Sequence, residues 1–366
     1  MCIVAGLLPG LVELMKSLLL ALGLLWSAFL GAGAPAVASA AVMPANPAVA
    51  ATVVRRDMFP ALSAHFPHGV VATPDIEYAN LTGFRPLLLD LYRPRAAAEQ
   101  SRRPLVVFVH GGGWRRGDSR TLGAFENFPA VLASLAARGY VVAAVNYRLS
   151  GEARFPAAVQ DLNAAIEFLR RNAGAFGIDP QRVVLWGDSA GAHLAALSAV
   201  TCQLPQFAPP PATGRLSRRE ALALRPRQVS HCVQGLVAWY GIFDLPTLLD
   251  SGAAAHAVAD DARDFLGCGG GPCRQLAQSA SPVSYISSRT PPMLLLHGRA
   301  DTEVPFGQTL EMAAALRKAG VRVEVGLIDA AGHGWIGRSA RITREASREA
   351  LQRTCDFIDQ TIAGKS

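Results

Sequence analysis

A serine between two glycines marks the point where a buried strand should turn abruptly into a helix. The run from Val183 to Trp186 is apolar, and Ala192 to Val200 is apolar over the length of a helix. Between them stands Gly187-Asp188-Ser189-Ala190-Gly191. In so tight a turn the strand and the helix approach closely, and glycines two residues either side of the serine avoid a clash. The pattern predicts that the oxygen of Ser189 is lifted above the carboxyl edge of a sheet.

Apolar runs of strand length alternate with helix-length amphipathic segments along most of the chain. The two opening strands should pair antiparallel, and the β-branched runs that follow suit the buried strands of a parallel sheet. The predicted strands are Ile76–Tyr78, Leu87–Tyr92, Leu105–His110, Val141–Tyr147, Val183–Gly187, Leu236–Tyr240, Met293–His297 and Val321–Ile328. Clear helices are predicted over Ala157–Asn172 and Ser339–Ile362. This alternation predicts an α/β fold with a mostly parallel central sheet of about eight strands flanked by helices.

The amino terminus carries the pattern of an export signal. The segment from Ser17 to Pro35 has no charge, Lys16 precedes it, and the small residues Ala38-Ser39-Ala40 follow it. A positive flank, an apolar stretch and a small-residue cleavage site indicate a secretory signal peptide. A retained anchor is the alternative, because the apolar run approaches the roughly 20 residues that span a bilayer. Helix-breaking glycines and a proline ahead of the cleavage site favour cleavage.

Three segments are therefore expected. Residues 1–40 form the signal peptide, 41–70 form an Ala/Pro-rich linker or amino-terminal extension, and 71–366 form one domain. Met15, directly before Lys16, is an alternative start to Met1. The Pro/Arg-rich stretch at 203–231 is predicted to be a surface insertion. The mature chain should work in the periplasm or outside the cell, with no stable membrane span after cleavage.

The net charge of +7 does not indicate a nucleic-acid partner. Nearly all the basic residues are arginines, and they stand singly or in pairs along the chain. A nucleic-acid-binding surface would show a clustered basic patch, often with interleaved aromatic residues. We therefore expect no nucleic-acid partner. The oligomeric state cannot be inferred from the sequence.

Five cysteines remain after the predicted cleavage. None has the paired C-x-x-C spacing of a structural zinc site. In an oxidising compartment they are expected to form disulfides. Cys202 and Cys232 bracket the insertion and Cys268 and Cys273 bracket a Gly-rich loop, so these are the predicted pairs. Cys355 is left over and is expected to be buried in the last helix.

A second glycine-rich motif follows the predicted strand Leu105–His110. The sequence there is His110-Gly111-Gly112-Gly113-Trp114. A tetrahedral oxyanion is stabilised by backbone N–H groups that no side chain obstructs, and consecutive glycines provide them. We predict that the N–H groups of Gly112, Gly113 and Ala190 form an oxyanion hole. His110 is expected to support the loop and not to act as a base.

A nucleophilic serine needs a base and a carboxylate that orients the base. His333 lies in a glycine-flanked loop between the last strand and the last helix, where a base is expected. The other histidines stand in segments less suited to this role: His65, His68, His110, His193, His231, His256 and His297. The acid should follow the penultimate strand, where Asp301 is the better candidate and Glu303 the competitor. The chain order Ser189, Asp301, His333 is the one expected of α/β-hydrolases.

The chain resembles the α/β-hydrolase superfamily, and within it the esterases with an H-G-G-G loop. These are the hormone-sensitive-lipase-like carboxylesterases and the related bacterial feruloyl and acetylxylan esterase group. The resemblance runs from about Asp75 to the end. Besides the motifs above, it rests on Leu89-Asp90-Leu91-Tyr92-Arg93-Pro94, Asn146-Tyr147-Arg148-Leu149 and Phe155-Pro156-Ala157-Ala158-Val159-Gln160-Asp161. The export signal, the insertion and the cysteines depart from the family pattern and leave the substrate class open.

The resemblance implies a serine carboxylesterase that passes through an acyl-enzyme and needs no metal or organic cofactor. Its expected substrate is a small-molecule or glycan ester, with short-chain or carbohydrate-linked esters favoured. Kynurenine formamidases share an H-G-G-x-W loop that Trp114 fits, so an arylformamidase-like amide hydrolase is an alternative. Trp114 is accordingly expected to bind substrate. A non-catalytic binding module on the same fold is the alternative from another functional class.

Overall fold

The computed structural model describes residues 62–94, 102–210, 229–251, 256–269 and 273–362. The predicted signal peptide and most of the predicted insertion at 203–231 lie outside the described residues. Residues from Ala61 to Ser366 group into one compact unit. None of the helices in the described ranges is long and apolar enough to cross a membrane.

Within the described ranges, nine strands form one mixed sheet. In chain order they are β1 (Ala64–Phe66), β2 (Val70–Ala79), β3 (Leu87–Arg93), β4 (Arg103–Val109), β5 (Val141–Val145), β6 (Ile178–Asp188), β7 (Gly235–Trp239), β8 (Met293–Gly298) and β9 (Val323–Ile328). Their order across the sheet is β1-β2-β3-β5-β4-β6-β7-β8-β9. The pairs β1–β2, β2–β3 and β3–β5 are antiparallel and all others are parallel. The predicted mostly parallel sheet with an antiparallel opening is confirmed.

Helices connect the strands. They are α1 (Phe128–Ala137), α2 (Ala157–Arg171), α3 (Ala173–Phe176), α4 (Ala190–Thr201), α5 (Leu245–Asp250), α6 (His256–Leu266), α7 (Arg274–Ser279), α8 (Gly307–Lys318) and α9 (Ala340–Ile362). The predicted helices at 157–172 and 339–362 correspond to α2 and α9. Helices α5 to α7 lie between β7 and β8, on the segment that leads from one parallel strand to the next.

The sheet is buried on both faces. Successive side chains of a strand point to opposite faces. Leu105, Val107 and Val109 of β4 accordingly join the core cluster that includes residues of α2, α4 and α8. Val106 and Phe108 join the cluster that includes residues of α1 and α9. Burial on both faces explains why the central strands read as continuous apolar runs rather than alternating ones.

The last residues of the expected linker or amino-terminal extension at 41–70 form part of the sheet, whereas residues 41–61 lie outside the described residues. Ala64–Phe66 pairs antiparallel with the start of β2, with Phe66 opposite Val70. His68 (φ 61°) and Gly69 (φ 75°) adopt left-handed conformations that form the turn. The phenyl ring of Phe66 packs 5.8 Å from the ring of Tyr92 on β3. Residues 64–70 therefore belong to the sheet, and the three-residue β1 accounts for nine strands where about eight were expected.

The cysteines pair as predicted. Cys202 and Cys232 lie at disulfide distance with their Cα atoms 5.0 Å apart, and Cys268 and Cys273 do so with Cα atoms 5.7 Å apart. Cys355 is free and buried in α9. The first bridge joins the end of α4 to the start of the segment that leads into β7.

Candidate active site

Ser189 occupies the sharp turn between β6 and α4. Its φ of 50° and ψ of −122° lie outside the regions that L-residues ordinarily adopt. A Cβ at Gly187 would collide with the backbone of Gly191, and one at Gly191 would collide with the carbonyl oxygen of Val109. The two glycines of the motif are therefore required by close backbone approach, as the sequence predicted. The turn holds Ser189 at the carboxyl end of β6.

The structure brings Ser189, His333 and Asp301 into one hydrogen-bonded relay. The Oγ atom of Ser189 lies 3.0 Å from Nε2 of His333. On the other side of the ring, Nδ1 of His333 lies 2.8 Å from Oδ2 of Asp301. With the proton on Nδ1, the ring donates to the carboxylate and its Nε2 accepts from the serine hydroxyl. This is the geometry in which an imidazole can remove a proton from serine.

The side chain of Asp301 is fully buried and is hydrogen-bonded on both carboxylate oxygens. Its Oδ1 accepts the N–H groups of Glu303 and Val304, both at 2.9 Å. Its Oδ2 also lies 3.3 Å from Nε2 of His297. Burial alone would raise the pKa of Asp301, but the hydrogen bonds from His297 and His333 outweigh it and hold the pKa well below its usual range. Asp301 is therefore an anion at any working pH.

The competitor acid, Glu303, does not take this position. Its side chain is exposed, and its backbone N–H is what donates to Asp301. It acts on His333 only through its charge, which raises the pKa of the imidazole. The geometry thus places Asp301, and not Glu303, against His333.

His333 lies in a short helical turn after β9, beside the ring of Tyr240 at a centroid distance of 4.6 Å. Burial lowers the pKa of His333. The hydrogen bond and the charge of Asp301, helped by Glu303 and Asp188, outweigh that and raise the pKa above its ordinary value. An imidazolium formed during proton transfer is therefore stabilised at this position.

The loop of three glycines after β4 lies beside the serine turn. The N–H of Gly111 donates to Oδ1 of Asp188 at 2.8 Å. Gly112 (φ 102°) and Gly113 (φ 60°) take left-handed conformations, and a Cβ on either would collide with a neighbour. Within the described ranges, the N–H groups of Gly112, Gly113 and Ala190 donate to no protein acceptor. The arrangement keeps the donors of the predicted oxyanion hole free, and their role stays a prediction.

Asp188, the residue before the nucleophile candidate, is buried against this loop. Burial raises its pKa to about 7, and the N–H of Gly111 and the nearby His333 lower it only in part. A Cβ at Gly111 would collide with the Asp188 carboxyl group. Asp188 therefore ties the serine turn to the glycine loop by direct contact.

Trp114, the residue predicted to bind substrate, has its side chain in the core. The indole is fully buried and stacks on Phe265 of α6, with ring centroids 4.8 Å apart. Its N–H donates to Nδ1 of His193 at 3.1 Å, which uses the only donor of the ring. These contacts of the ring are core contacts, and a role of Trp114 in binding substrate stays a prediction.

Two further histidines, His110 and His297, have structural partners. His110 stacks on Tyr147 at 4.4 Å, and its Nδ1 lies 2.8 Å from the carbonyl oxygen of Gly111, so it supports the loop as expected. His297 was assigned to the end of a core strand. It does lie there, but its contact with the Asp301 carboxylate was missed. The spacing His297-Gly298-x-x-Asp301 is the signal that could have pointed to it.

No group of three or more His, Cys, Asp or Glu side chains within the described ranges is arranged to hold a metal ion. The polar groups around Ser189 are an imidazole, a carboxylate and backbone N–H groups. Such an arrangement can activate a hydroxyl and stabilise an oxyanion, which is the chemistry of acyl transfer.

Known proteins with similar sequences are named as esterases. The BD-FAE family model matches residues 89–316, and the model of the prolyl oligopeptidase family matches residues 269–365. Esterase LipQ of Mycobacterium tuberculosis is 31% identical over 260 residues, which are 68% of this chain and 53% of that protein. The isoprenylcysteine alpha-carbonyl methylesterase ICME of Arabidopsis thaliana is 28% identical over 257 residues, 67% of this chain and 53% of that protein. The chain spans about half the length of the curated relatives it matches.

Solved structures share the fold. Esterase 2 of Thermogutta terrifontis with bound propionate superposes with a TM-score of 0.60 at 26% identity, covering 80% of this chain and 96% of that one. A bifunctional GH43-CE protein of Bacteroides eggerthii gives a TM-score of 0.62 at 26% identity, covering 80% of this chain and 35% of that one. These matches confirm the α/β-hydrolase fold that the motifs predicted.

Proposed function

This chain belongs to the BD-FAE family, and we propose that it is a serine carboxylic-ester hydrolase. Ser189 is the proposed nucleophile, His333 the general base, and Asp301 the acid that orients the base. The single observation that carries the proposal is the continuous relay from Ser189 Oγ through His333 to Asp301, at 3.0 and 2.8 Å. The names of the curated relatives, esterase and methylesterase, support the same reaction.

The proposed reaction is acyl transfer in two halves. His333 Nε2 takes the proton of Ser189 as its Oγ attacks the ester carbonyl carbon. The oxyanion is held by the N–H groups of Gly112, Gly113 and Ala190. As the tetrahedral intermediate collapses, the ester bond breaks and the imidazolium returns the proton to the leaving alcohol. Water, deprotonated by the same imidazole, then attacks the acyl-enzyme and releases the acid together with free Ser189.

The electrostatics of the relay fit these steps. Asp301 is held as a buried anion and raises the pKa of His333. The charged imidazolium that forms in each transition state therefore faces a fixed negative charge. Such an arrangement, fixed before the substrate arrives, stabilises charge where it develops.

For the substrate we propose a short acyl chain, on a small-molecule or carbohydrate-linked alcohol. The short chain is supported by Esterase 2 of Thermogutta terrifontis, whose structure holds propionate. For the setting we propose export to the periplasm or the exterior by a signal peptide at residues 1–40. The two cysteine pairs at disulfide distance are compatible with an oxidising compartment.

The decisive test is Ser189→Ala assayed with p-nitrophenyl acetate. We expect kcat to fall about 10⁵- to 10⁶-fold because the acyl-enzyme cannot form. Paraoxon should label the native protein at Ser189 and leave the variant unmodified, as mass spectrometry would show. Ser279→Ala removes a half-buried hydroxyl on α7 that donates only to the carbonyl oxygen of Leu276, and it serves as the matched control, with unchanged kcat. Turnover by Ser189→Ala at the native rate would refute the assignment.

A substrate panel separates the proposal from its alternatives. It should contain p-nitrophenyl esters from acetate to octanoate, acetylated and feruloylated glycans, and N-formylkynurenine. We expect hydrolysis of acetate and propionate esters at the highest kcat/KM. Preferred cleavage of N-formylkynurenine would favour the alternative function, an arylformamidase-like amide hydrolase. No turnover of any compound and no paraoxon label would favour a non-catalytic module.

A further inference from the structure

We propose that His193 is a positioning residue for the oxyanion hole, acting through its hydrogen bond from the Trp114 indole. The proposal rests on the ester hydrolysis proposed above and assigns a role to two residues outside the Ser189–His333–Asp301 relay. Trp114 follows Gly113 in the glycine loop, and His193 lies one turn after Ser189 in α4. The bond between them joins the two elements that carry the three proposed oxyanion donors.

The contacts of His193 determine where its proton lies. The indole Nε1–H of Trp114 can only donate, so Nδ1 of His193, at 3.1 Å, must accept. The carbonyl oxygen of Ala280 can only accept, so Nε2 of His193, at 2.8 Å, must carry the proton. Both ring nitrogens are therefore satisfied in one tautomer only. Burial lowers the pKa of His193 to about 4, which keeps the ring neutral at working pH.

The same ring bridges three parts of the fold. On α4 the backbone N–H of His193 donates to the carbonyl oxygen of Ser189 at 3.0 Å. Through Nδ1 it meets Trp114 of the glycine loop, and through Nε2 it meets Ala280, directly after α7. Since all three residues are in one compact, fully buried cluster, a shift of the loop relative to the helix would break a buried bond. Breaking such a bond is costly because neither partner can turn to water instead.

The backbone next to Trp114 makes this anchor effective. Trp114 has φ of 57°, in the left-handed region, and directly continues the left-handed Gly113. Its carbonyl oxygen accepts the N–H of Ser150 at 2.8 Å, while its ring stacks on Phe265. The backbone bond and the stack fix the position of the residue. The indole bond adds the orientation of the loop toward the helix that begins at Ala190.

A second buried tryptophan, Trp186, is packed in the core without a hydrogen bond from its indole N–H to any described residue. Trp186 on β6 is also fully buried among aromatic rings, but within the described part of the chain its indole N–H has no hydrogen-bond partner. Packing therefore does not by itself require the indole nitrogen to be paired. Trp186 offers a matched comparison, since Trp186→Phe removes the same atoms without removing a bond.

The test compares Trp114→Phe, His193→Asn and Trp186→Phe, each with p-nitrophenyl acetate and with an aryl trifluoromethyl ketone. The ketone forms a serine adduct whose oxyanion occupies the proposed hole. In Trp114→Phe we expect kcat to fall about 10- to 100-fold, KM to change less than about threefold, and the inhibition constant of the ketone to rise in parallel with the loss of kcat. His193→Asn keeps an acceptor for the indole N–H and should therefore retain most of the native kcat. Trp186→Phe should keep kcat and ketone affinity within about threefold of the native values.

The outcomes separate this inference from the function on which it rests. Thermal unfolding and paraoxon labelling confirm that each variant is folded. If native protein hydrolyses esters and Trp114→Phe keeps kcat and ketone affinity, the positioning role is wrong while the proposed function stands. If Trp114→Phe and His193→Asn lose kcat equally with no change in ketone affinity, the bond serves stability alone and the inference is wrong. If the native protein hydrolyses no ester, the proposed function fails and this inference fails with it.

Discussion

The site has two sides. On the charged side, the loops after β8 and β9 position Asp301 and His333 through ionic hydrogen bonds. On the neutral side, the loop after β4 and the start of α4 are joined by the hydrogen bond between the uncharged side chains of Trp114 and His193. On the first side, Asp301 is a buried anion between two histidines, and His333 has a raised pKa. On the second side, the N–H groups of Gly112 and Gly113 have no acceptor among the described residues, and the neutral pair Trp114–His193 joins the loop to α4. Both sides meet at Ser189.

This difference follows from what each side has to do. A base that gains a proton needs a fixed negative charge beside it. An oxyanion needs donors without a competing charge, so neutral anchors suit the second side. The charged side should therefore tolerate small shifts in shape but respond strongly to removal of a charge. The neutral side should respond strongly to added volume.

Among the changes that compare the two sides of the site, the largest effect is expected from Asp301→Asn. The amide keeps nearly the same shape but cannot stabilise the imidazolium of His333, and it no longer fixes the ring with Nδ1 as the donor. By analogy with other serine hydrolases, kcat for p-nitrophenyl acetate should fall about 10⁴-fold. Because the carboxylate raises the pKa of His333, what activity remains should rise at lower pH than in the native protein. Rates of native protein and variant between pH 5 and 9 test both expectations.

Glu303→Gln is the matched control for that change. It removes a carboxylate two residues away that is exposed and acts on His333 only through its charge. Exposed charges are screened by water and salt, so kcat should change less than about threefold. Equal losses in the two variants would mean that Glu303, the competitor acid, takes the role assigned here to Asp301.

A smaller but still large loss is expected from Gly113→Ala on the neutral side. An alanine at this position would have to adopt a left-handed φ of 60°, and its methyl group would collide with the carboxylate of Asp261 on α6. We expect kcat to fall about 10²- to 10³-fold, as when one oxyanion donor is lost. The measurement is kcat and KM for p-nitrophenyl acetate.

Gly83→Ala provides the comparison for backbone conformation alone. Gly83 also has a left-handed φ, at 88°, but a Cβ there would meet open space. It should lower the free energy of unfolding slightly and leave kcat unchanged. If Gly113→Ala were as active as Gly83→Ala, the loop would not carry the oxyanion donors.

Most of the fold and the residues of the relay were predictable because their constraints are local. Buried strands show as apolar runs, and Gly187 and Gly191 are required by a turn whose neighbours along the chain can be read directly. The edge strand β1 was missed because Ala64–Phe66 is too short and too exposed to show a pattern. It forms only because β2 offers a pairing edge.

The contacts of Trp114 and His297 depend on tertiary packing and could not be read from the sequence. Trp114 stands next to the glycine loop, but which way its ring turns is decided by Phe265 of α6, more than a hundred residues later. His297 could be placed at the end of β8. Its contact with Asp301 arises because the chain turns back within four residues, and only the structure shows that turn.

The smallest predicted effect on rate concerns Asp188, whose carboxyl group contacts the glycine loop, and it appears mainly in stability. Burial raises its pKa to about 7 in the folded protein, whereas in the unfolded chain it ionises near 4. Folding therefore takes up a proton between these values. The free energy of unfolding contributed by this group is greatest below about pH 4, falls as the pH rises toward 7, and then levels off.

Asp188→Asn should remove this pH dependence of the free energy of unfolding and keep the hydrogen bond from the N–H of Gly111. The amide oxygen still accepts from the N–H of Gly111, so the glycine loop stays tied to the serine turn. At pH 8 the variant should be more stable than the native protein by about 4 kcal/mol, and at pH 4 the difference should nearly vanish. Urea unfolding at the two pH values measures it. A variant less stable than the native protein at pH 8 would show that Asp188 works as a buried anion, and that the oxyanion side is not neutral after all.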